Sequence, residues 1–269
     1  MLALEGITYR YAGAARPSLH DVDLSLAEGE VVGVVGASES GKSTLCLVAS
    51  GLAPRATGGT LGGRLLLDGE DAAGRPMHEL AGSVGICFQN PTTQLSGVTL
   101  TVYEEVAFGP MNLGVPRDEV IARTETALDA VGIRQLADRE PSRISGGQMQ
   151  LVAIAGLLAM GPRHLVLDEP TAQLDPFGTR LVSETVAALA AEGASILIAE
   201  QKTDLLARIC TRVMVLEAGR VLFEGTPDDV FADPRLVGLG VPEPSAVRLG
   251  RALRVAGLDP SVAAGAAAR

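Results

Sequence analysis

The sequence is poor in aromatic residues, with no tryptophan, three tyrosines and five phenylalanines among 269 residues. Cysteine and histidine are equally scarce, with three of each. Cys46, Cys87 and Cys210 lie far apart in apolar segments without C-x-x-C spacing, which predicts buried thiols in a reducing cytosol. The histidines, at positions 20, 78 and 164, lack the spacing of metal ligands, so a structural zinc site is not expected.

Long apolar runs and a basic amino-terminal stretch are also lacking. The longest apolar candidate, Leu151 to Met160, has ten residues, whereas a membrane-spanning helix needs roughly 18 to 20. Because no basic region precedes an apolar one at the amino terminus, no secretory signal is expected. The formal net charge of −10 argues against broad, sequence-independent nucleic-acid binding. Any membrane role is therefore expected to come through a partner protein.

What the chain does have is a glycine-rich segment of the form G-x-x-x-x-G-K-S-T. Its glycines let the backbone wrap an anion, its lysine reaches terminal phosphates, and the serine hydroxyl can bind Mg²⁺. An apolar run at 31–35 predicts a buried strand before it, and 45–49 predicts a helix whose amino terminus faces the phosphates. This context argues against a chance match. The segment consists of Gly36, Ala37, Ser38, Glu39, Ser40, Gly41, Lys42, Ser43 and Thr44.

Alternating apolar residues at the amino terminus predict an antiparallel flap beside the nucleotide site. Residues 1–11 are expected to form an edge strand, followed by strands over 19–26 and 64–67. Tyr11 ends the first strand, and in a chain with so few aromatics its ring is a candidate for stacking on adenine. The alternative is an exposed strand tyrosine.

Polar residues follow several predicted core strands, where open α/β sheets bind ligands. Gln89 follows the strand predicted over 83–88, and Asp168 and Glu169 end the strand that begins at His164. The glycine-rich segment Gly36–Thr44 is here called the phosphate loop. Beside such a loop, an aspartate in this position binds Mg²⁺ and the adjacent glutamate orients or deprotonates the attacking water. A merely solvated acid pair is the alternative.

A helical region is predicted between these strands, with helices over 101–108, 116–131 and 149–160. The third follows the segment Ser145-Gly146-Gly147-Gln148. Ser145 is a suitable N-cap, and the glycines leave N–H groups free for an anion. Taken alone, this segment could be only a helix cap.

In order and approximate spacing, these motifs resemble the ATP-binding subunits of ABC transporters over about residues 2–232. The segments Phe88–Leu95 and Thr101–Gly114 are further similar to cobalt-type and energy-coupling-factor ATPases, which power uptake of vitamins or transition-metal ions. The resemblance implies an α/β fold, a P-loop NTPase (RecA-like) core with an antiparallel β flap and an inserted helical subdomain at about 91–160. The ATP-binding domain would span 1–235. A short carboxyl-terminal extension would occupy 236–269, with a frayed end from Ala263.

The resemblance also implies roles for individual residues. The loop from Gly36 to Thr44 would bind ATP phosphates, with Mg²⁺ held by Ser43, Gln89 and Asp168, and Tyr11 would stack on adenine. Catalysis would depend on Glu169, Gln89 and Gln201. The segment Ser145–Gln148 would close over ATP on a second subunit, and Asp175 would help the two subunits communicate.

Partners follow from the same resemblance. A second ABC ATPase subunit is expected, in a homodimer or a heterodimer, because the phosphate loop and Ser145–Gln148 are both phosphate binders yet lie in different lobes. A membrane-embedded transport subunit would dock near Gln89 and the helical lobe, at the cytoplasmic face of the cell membrane. No nucleic acid and no direct contact with the transported solute are expected.

Three departures from the family pattern stand out. Glu39 occupies a position often held by glycine, and its carboxylate is expected to point away from the phosphates. Ile144 and Leu151 lie on either side of the segment Ser145–Gln148, at positions where leucine and arginine are commoner in the family. Gln201 stands where the family has a histidine that contacts the γ-phosphate, and an amide donates a hydrogen bond but carries no proton or positive charge. Impaired but not abolished hydrolysis is therefore expected.

Three functional hypotheses remain. The first is the ATPase subunit of an importer. The second is a nucleotide-switch subunit that closes on ATP with little hydrolysis, which Gln201 favours and Glu169 disfavours. The third is an ABC ATPase acting on DNA or ribosomes, which the negative charge and the absence of coiled-coil insertions or tandem domains disfavour.

Overall fold

The computed structural model describes residues 1–256, which form an α/β fold. The expected frayed end at 263–269 lies outside the described residues. The strands are β1 (Leu2–Arg10), β2 (Leu19–Leu26), β3 (Val31–Val35), β4 (Thr60–Leu67), β5 (Glu70–Asp71), β6 (Val84–Cys87), β7 (His164–Asp168), β8 (Ser195–Ala199), β9 (Arg212–Glu217) and β10 (Arg220–Gly225). The helices are α1 (Lys42–Ala49), α2 (Met77–Ser83), α3 (Val102–Asn112), α4 (Arg117–Ala130), α5 (Gly146–Met160), α6 (Pro176–Ala191), α7 (Thr203–Ile209), α8 (Pro227–Ala232), α9 (Arg235–Gly238) and α10 (Ser245–Val255).

The larger sheet has the strand order β10-β9-β3-β8-β7-β6. Its five strands from β9 to β6 are parallel, and β10 pairs antiparallel at one edge. Every residue of β3, β7 and β8 is buried, as expected for a parallel sheet that is covered on both faces. The parallel arrangement brings the carboxyl ends of β3, β6, β7 and β8 to one edge of the sheet, where the predicted site residues follow.

Strand β3 connects the two hydrophobic cores because its side chains alternate between the faces of the sheet. Val31 and Val35 pack in a core shared with the helical region, and Val32 and Val34 pack in a core with β1, β2 and α1. The phosphate loop therefore begins at the end of a strand that is packed on both faces.

The smaller sheet is antiparallel, with the order β2-β1-β4-β5. The prediction that the first strand is an edge strand was wrong, since β1 lies between β2 and β4. Strand β4 starts at Thr60, four residues before the start predicted from the sequence at Arg64. Gly63, at φ 84°, allows this pairing, because a Cβ there would lie 2.3 Å from Glu5 O.

The helices α3, α4 and α5 follow β6 and precede β7, and they pack against one another beside the larger sheet. Helix α3 continues to Asn112, beyond the predicted end at Phe108. A capping box between Thr101 and Glu104 begins it. No helix in residues 1–256 combines the length and the apolar composition that a membrane span requires.

The residues after α8 remain part of the folded body as far as they are described. Leu236 and Val241 are buried in the core that contains the helical region. A Cβ at Gly240 would lie 3.5 Å from the Ala37 Cβ, so this segment runs beside the phosphate loop.

Candidate functional site

The phosphate loop lies between the end of β3 at Val35 and the start of α1 at Lys42. At Gly36 a Cβ would lie 2.2 Å from Leu216 O, so the backbone there tolerates no side chain. Gly41 has φ 110°, a conformation that L residues rarely adopt. Gly219 N donates to Ser40 O at 2.8 Å, which fixes the loop to the turn between β9 and β10.

The Lys42 ammonium folds back over this loop. Its Nζ donates to Gly36 O and Ala37 O, at 2.8 Å each. Burial lowers the pKa of Lys42, while the carboxylates of Glu169 and Asp168 act in the opposite direction. Since charge-assisted bonds to phosphate oxygens are stronger than bonds to carbonyl oxygens, the ammonium is placed to transfer to a bound phosphate.

A cavity of about 660 Å³ opens in front of the loop. It brings together side chains from the ends of β6, β7 and β8, as the sequence predicts. It also includes Arg16, Ser18 and His20, which sequence reasoning missed because no spacing or motif marks them. The lining residues are Arg16, Pro17, Ser18, His20, Ser38, Glu39, Gly41, Lys42, Ser43, Thr44, Gln89, Glu169, Gln201, Ala218 and Gly219.

Glu169 is held between two side-chain amides. Gln89 Nε2 donates to Glu169 Oε2 at 2.8 Å, and Gln201 Nε2 donates to Glu169 Oε1 at 2.7 Å. Glu169 itself has φ 46°, in the left-handed region, and its N–H donates to Ala199 O at 2.8 Å. A left-handed residue with a long side chain is uncommon, and such conformations concentrate at functional sites.

Asp168 ends β7 and is 8% exposed. Burial raises its pKa, while the Ser43 hydroxyl acts in the opposite direction. Asp168 Oδ1 has no hydrogen-bond partner among the described residues. A buried, unsatisfied carboxylate oxygen beside a hydroxyl forms a hard-oxygen donor set, and this set fits Mg²⁺. In residues 1–256 no group of three histidine, cysteine or acidic residues could hold a metal alone, so Mg²⁺ would need further ligands from phosphates and water.

Tyr11 lies beside the phosphate loop without lining the cavity. Its hydroxyl is 3.2 Å from Thr44 Oγ1, and its ring meets the Tyr9 ring edge-on with centroids 4.9 Å apart. The role in adenine stacking stays a prediction.

The segment Ser145–Gln148 begins α5 with a capping box between the Ser145 and Gln148 side chains. The amides of Gly146 and Gly147 are in the first turn, where no intrahelical acceptor is available. A Cβ on Gly146 would lie 2.7 Å from Gln173 Oε1, so this surface lies against the loop before α6. None of residues 145–148 lines the cavity in front of the phosphate loop.

Asp175 is the N-cap of α6, and its Oδ1 accepts from Gly178 N at 2.7 Å. This contact explains the local conformation within one chain. The predicted role in communication between subunits stays a prediction.

Two glutamines that sequence reasoning did not assign support the segment before Gln89. Gln150 is fully buried on α5 and donates to Phe88 O at 3.2 Å. Gln94 Oε1 accepts from Phe88 N at 3.0 Å, and its amide donates to Ala153 O at 3.4 Å. Both tie this segment to α5, the helix that Ser145 begins.

The phosphate loop, the strand-end acids and the inserted helices define a P-loop ATPase with a helical subdomain. The family model for the ABC transporter matches residues 19–172, and the chain belongs to that family. It is an ATP-binding subunit of the ABC and energy-coupling-factor class, and an ATPase. The expected α/β fold with an inserted helical region is confirmed.

Three similar proteins support this assignment. The energy-coupling factor transporter ATP-binding protein EcfA of Enterococcus faecium is 38% identical over 96% of this chain and 91% of its own length. The structure of cbiO1 from Clostridium perfringens, part of the ABC transporter complex cbiONQ, superposes with a TM-score of 0.75. It is 34% identical and the match covers 88% of this chain and 92% of that one. A dimeric ATP-binding cassette in a post-hydrolysis state with ADP and Pi has a TM-score of 0.75 and 26% identity, and covers 84% and 99%.

Proposed function

We propose that this chain hydrolyses ATP to drive an importer of the energy-coupling-factor or cobalt type, for a vitamin or a transition-metal ion. It would act at the cytoplasmic face of the membrane with a second ATPase subunit and a membrane-embedded subunit. The similarity to EcfA and to cbiO1 supports the importer class. The observation that carries the hydrolytic role is the position of Glu169, whose carboxylate faces the phosphate-loop cavity between two amides.

In the proposed cycle the residues of the loop bind and orient ATP. Lys42 exchanges its bonds to Gly36 O and Ala37 O for bonds to the terminal phosphates. Asp168 and Ser43 would hold Mg²⁺, which neutralises phosphate charge when it is bound. Glu169 accepts a proton from the attacking water, or orients that water.

Two such subunits are needed for a complete site. Residues 145–148 lie outside the cavity that contains Lys42, although the first-turn amides of α5 favour an anion. A second ATPase subunit in a head-to-tail arrangement would supply its own counterpart of residues 145–148 to this cavity. ATP would then favour the closed dimer, and hydrolysis would release it.

The docking surface for the membrane-embedded subunit would include exposed apolar residues of the helical region that follows Gln89 in the chain. Val98 and Leu100 are 71% and 77% exposed, and Met111 on α3 is 63% exposed. The loop that carries Val98 is held by the buried Glu105, whose carboxylate accepts from Ser96 N, Ser96 Oγ and Thr99 Oγ1. The loop is therefore a firmly held apolar surface, which suits an apolar coupling segment of a membrane protein.

The domain boundaries are part of the same proposal. The ATP-binding domain would span residues 1–235, with the helical subdomain at about 91–160, and residues 236–269 would form an extension. The burial of Leu236 and Val241 indicates that the first part of this extension packs on the domain.

Solute uptake tests the importer. Cells of the native host that lack this chain are assayed with radiolabelled Co²⁺, Ni²⁺ and a panel of labelled vitamins, and are complemented with wild type, Glu169→Gln or Leu100→Asp. We expect loss of uptake of one solute, restored by wild type but not by Glu169→Gln or Leu100→Asp. Leu222→Asp, at an apolar residue of β10 that is 44% exposed, is the matched control and should restore uptake. Unchanged uptake of every solute would contradict the importer.

A nucleotide switch is the second candidate, because Gln201 replaces a group able to carry positive charge. ATP turnover by purified wild type and by Glu169→Gln distinguishes the nucleotide switch from the hydrolysing subunit of an importer. Equal, negligible turnover by both, with tight ATP binding in the presence of the membrane subunits, would establish the switch.

A further inference from the structure

The chain contains only two lysines among its 22 basic residues. Lys42 is in the phosphate loop, and Lys202 directly follows Gln201. The Lys202 ammonium donates to Thr171 O at 2.8 Å, to Thr179 Oγ1 at 2.9 Å and to Leu174 O at 3.4 Å. All three acceptors belong to the segment 171–179, which runs from the strand-end acids into α6.

Glu200 binds the same segment from the other side of Gln201. It is 2% exposed, and its Oε2 accepts from Thr171 Oγ1 at 2.5 Å and from Thr171 N at 3.3 Å. Its Oε1 accepts from the backbone amides of Gln201 at 2.8 Å and Lys202 at 3.2 Å. Both oxygens of this buried carboxylate are therefore satisfied within the chain.

Gln201 is thus held by its neighbours on both sides. Its backbone is fixed by Glu200, and the next residue is anchored by Lys202. Its side-chain amide is left to reach Glu169 Oε1 at 2.7 Å. We propose that Lys202 is a positioning residue that, together with Glu200, aims the Gln201 amide at Glu169 and couples this contact to the segment containing Asp175.

If Lys202 served only to join α7 to α6, its role would repeat that of a second basic residue nearby. Arg208 lies on α7 one to two turns further along and donates to Ser183 Oγ of α6 at 2.5 Å. Arg208 therefore joins the same two helices through a cation and a hydroxyl. Lys202 differs in that its other two acceptors are carbonyl oxygens of Thr171 and Leu174, between Glu169 and Asp175.

The coupling has a direct physical consequence. If the segment 171–179 shifts when a second subunit packs on Asp175, the acceptors of Lys202 shift with it. The Gln201 amide then moves relative to Glu169, because Glu200 and Lys202 bind the same segment. Hydrolysis would in this way respond to the neighbouring subunit without any change in ATP contacts at Lys42.

The test compares Lys202→Met with the matched control Arg208→Met in the ATPase assay of the full chain with its transport partners. We expect Lys202→Met to lower kcat about tenfold, since small misplacements of a catalytic contact are costly, with KM for ATP changed less than twofold. Arg208→Met should keep kcat within twofold while losing comparable thermal stability. Equal effects of the two variants on kcat would overturn the proposal.

A double-mutant cycle shows whether Lys202 acts through Gln201. In a Gln201→Ala background, Lys202→Met should lower kcat no further, because the amide that it positions is gone. A full additional loss in that background would overturn the inference. If Lys202→Met does not fold, the isosteric Thr179→Val removes one of its three acceptors. It should lower kcat about two- to threefold in wild type and not in Gln201→Ala, and no loss in wild type would equally contradict the proposal.

The inference rests on the proposed hydrolytic role of Glu169, and the same assay separates the two. Normal turnover by Glu169→Gln would remove the role of Glu169. Loss of turnover by Glu169→Gln together with normal kcat in Lys202→Met and Thr179→Val would remove only the role of Lys202.

Discussion

Gln201 Nε2 donates to Glu169 Oε1 at 2.7 Å, so the residue expected at the position of the family histidine contacts the proposed general base directly. Gln89 occupies the other oxygen of the same carboxylate. Neither amide can take up or release a proton. Each carboxylate oxygen accepts one amide hydrogen bond and keeps a second lone pair, through which Glu169 can accept a proton from water.

Gln201→His should raise kcat for ATP about tenfold, because a histidine can hydrogen-bond the γ-phosphate and carry positive charge, whereas an amide supplies a neutral donor. The measurement is steady-state turnover with the transport partners present. Glu169→Gln is the control background, in which the histidine should give no gain. If kcat of the Gln201→His variant fell or stayed unchanged, a histidine at this position would offer no advantage over Gln201 in hydrolysis.

Tyr11→Ala should weaken ATP binding by about 1 to 3 kcal/mol, the usual contribution of a base stacked on an aromatic ring. Tyr11→Phe keeps the ring and loses only the hydroxyl contact with Thr44, so its affinity should stay within about threefold of wild type. Calorimetric titration of ATP in the Glu169→Gln background gives both values. Equal losses in the two variants would assign the effect to the hydroxyl and not to stacking.

The positions of the site residues follow from the sequence because each is fixed by a local pattern. Gln89, Asp168 and Gln201 each lie at the end of an apolar strand or within two residues of it. The carboxyl ends of neighbouring parallel strands must meet at one edge of the sheet. The start of α5 at Gly146 is equally local, since Ser145 and Gln148 form a capping box over three residues.

The contacts that the sequence does not show depend on distant pairings. The position of β1 inside its sheet depends on β4, which lies about 60 residues away along the chain. The glycines at the start of β4 resemble a link until the close approach of Gly63 to Glu5 is seen. Lys202 likewise is a single polar residue after a strand, and its three acceptors lie 23 to 31 residues earlier. No periodicity or motif encodes such a contact.

Asp168→Asn should stabilise the nucleotide-free chain at neutral pH and abolish Mg²⁺-dependent hydrolysis. Burial raises the pKa of Asp168 in the folded chain above its ordinary value of 3.8. At pH values between the ordinary pKa of Asp168, which applies to the unfolded chain, and its raised pKa in the folded chain, the folded chain binds more protons than the unfolded chain. The contribution of Asp168 to the free energy of unfolding therefore falls as pH rises through that window.

The melting temperature of the variant should accordingly exceed that of wild type at pH 7, by about 2 to 4 °C if the gain is about 1 kcal/mol. The difference should disappear as pH falls towards 3.8. Thermal unfolding of both proteins in chelator, across this pH range, provides the comparison. A difference that is independent of pH would show that the carboxylate charge is not its cause.

Glu39→Gly should stabilise the chain with little effect on ATP binding. Glu39 has φ 65°, a left-handed conformation that costs a residue with a Cβ roughly 1 to 2 kcal/mol. Glycine avoids this cost, but it loses more backbone entropy on folding, which offsets part of the gain. We therefore expect a net gain of about 1 kcal/mol or less in the free energy of unfolding. The side chain borders the cavity but is exposed, so water and salt screen its charge.

Glu39→Gln is the matched control, because it removes the charge and keeps both the Cβ and the left-handed backbone. Its stability should equal that of wild type, and its affinity for ATP should stay within about twofold, as expected for a carboxylate that points away from the phosphates. Calorimetric titration and chemical unfolding give the two quantities. If Glu39→Gln bound ATP tenfold more tightly, the carboxylate would face the phosphates. The residue would then limit nucleotide affinity in this chain.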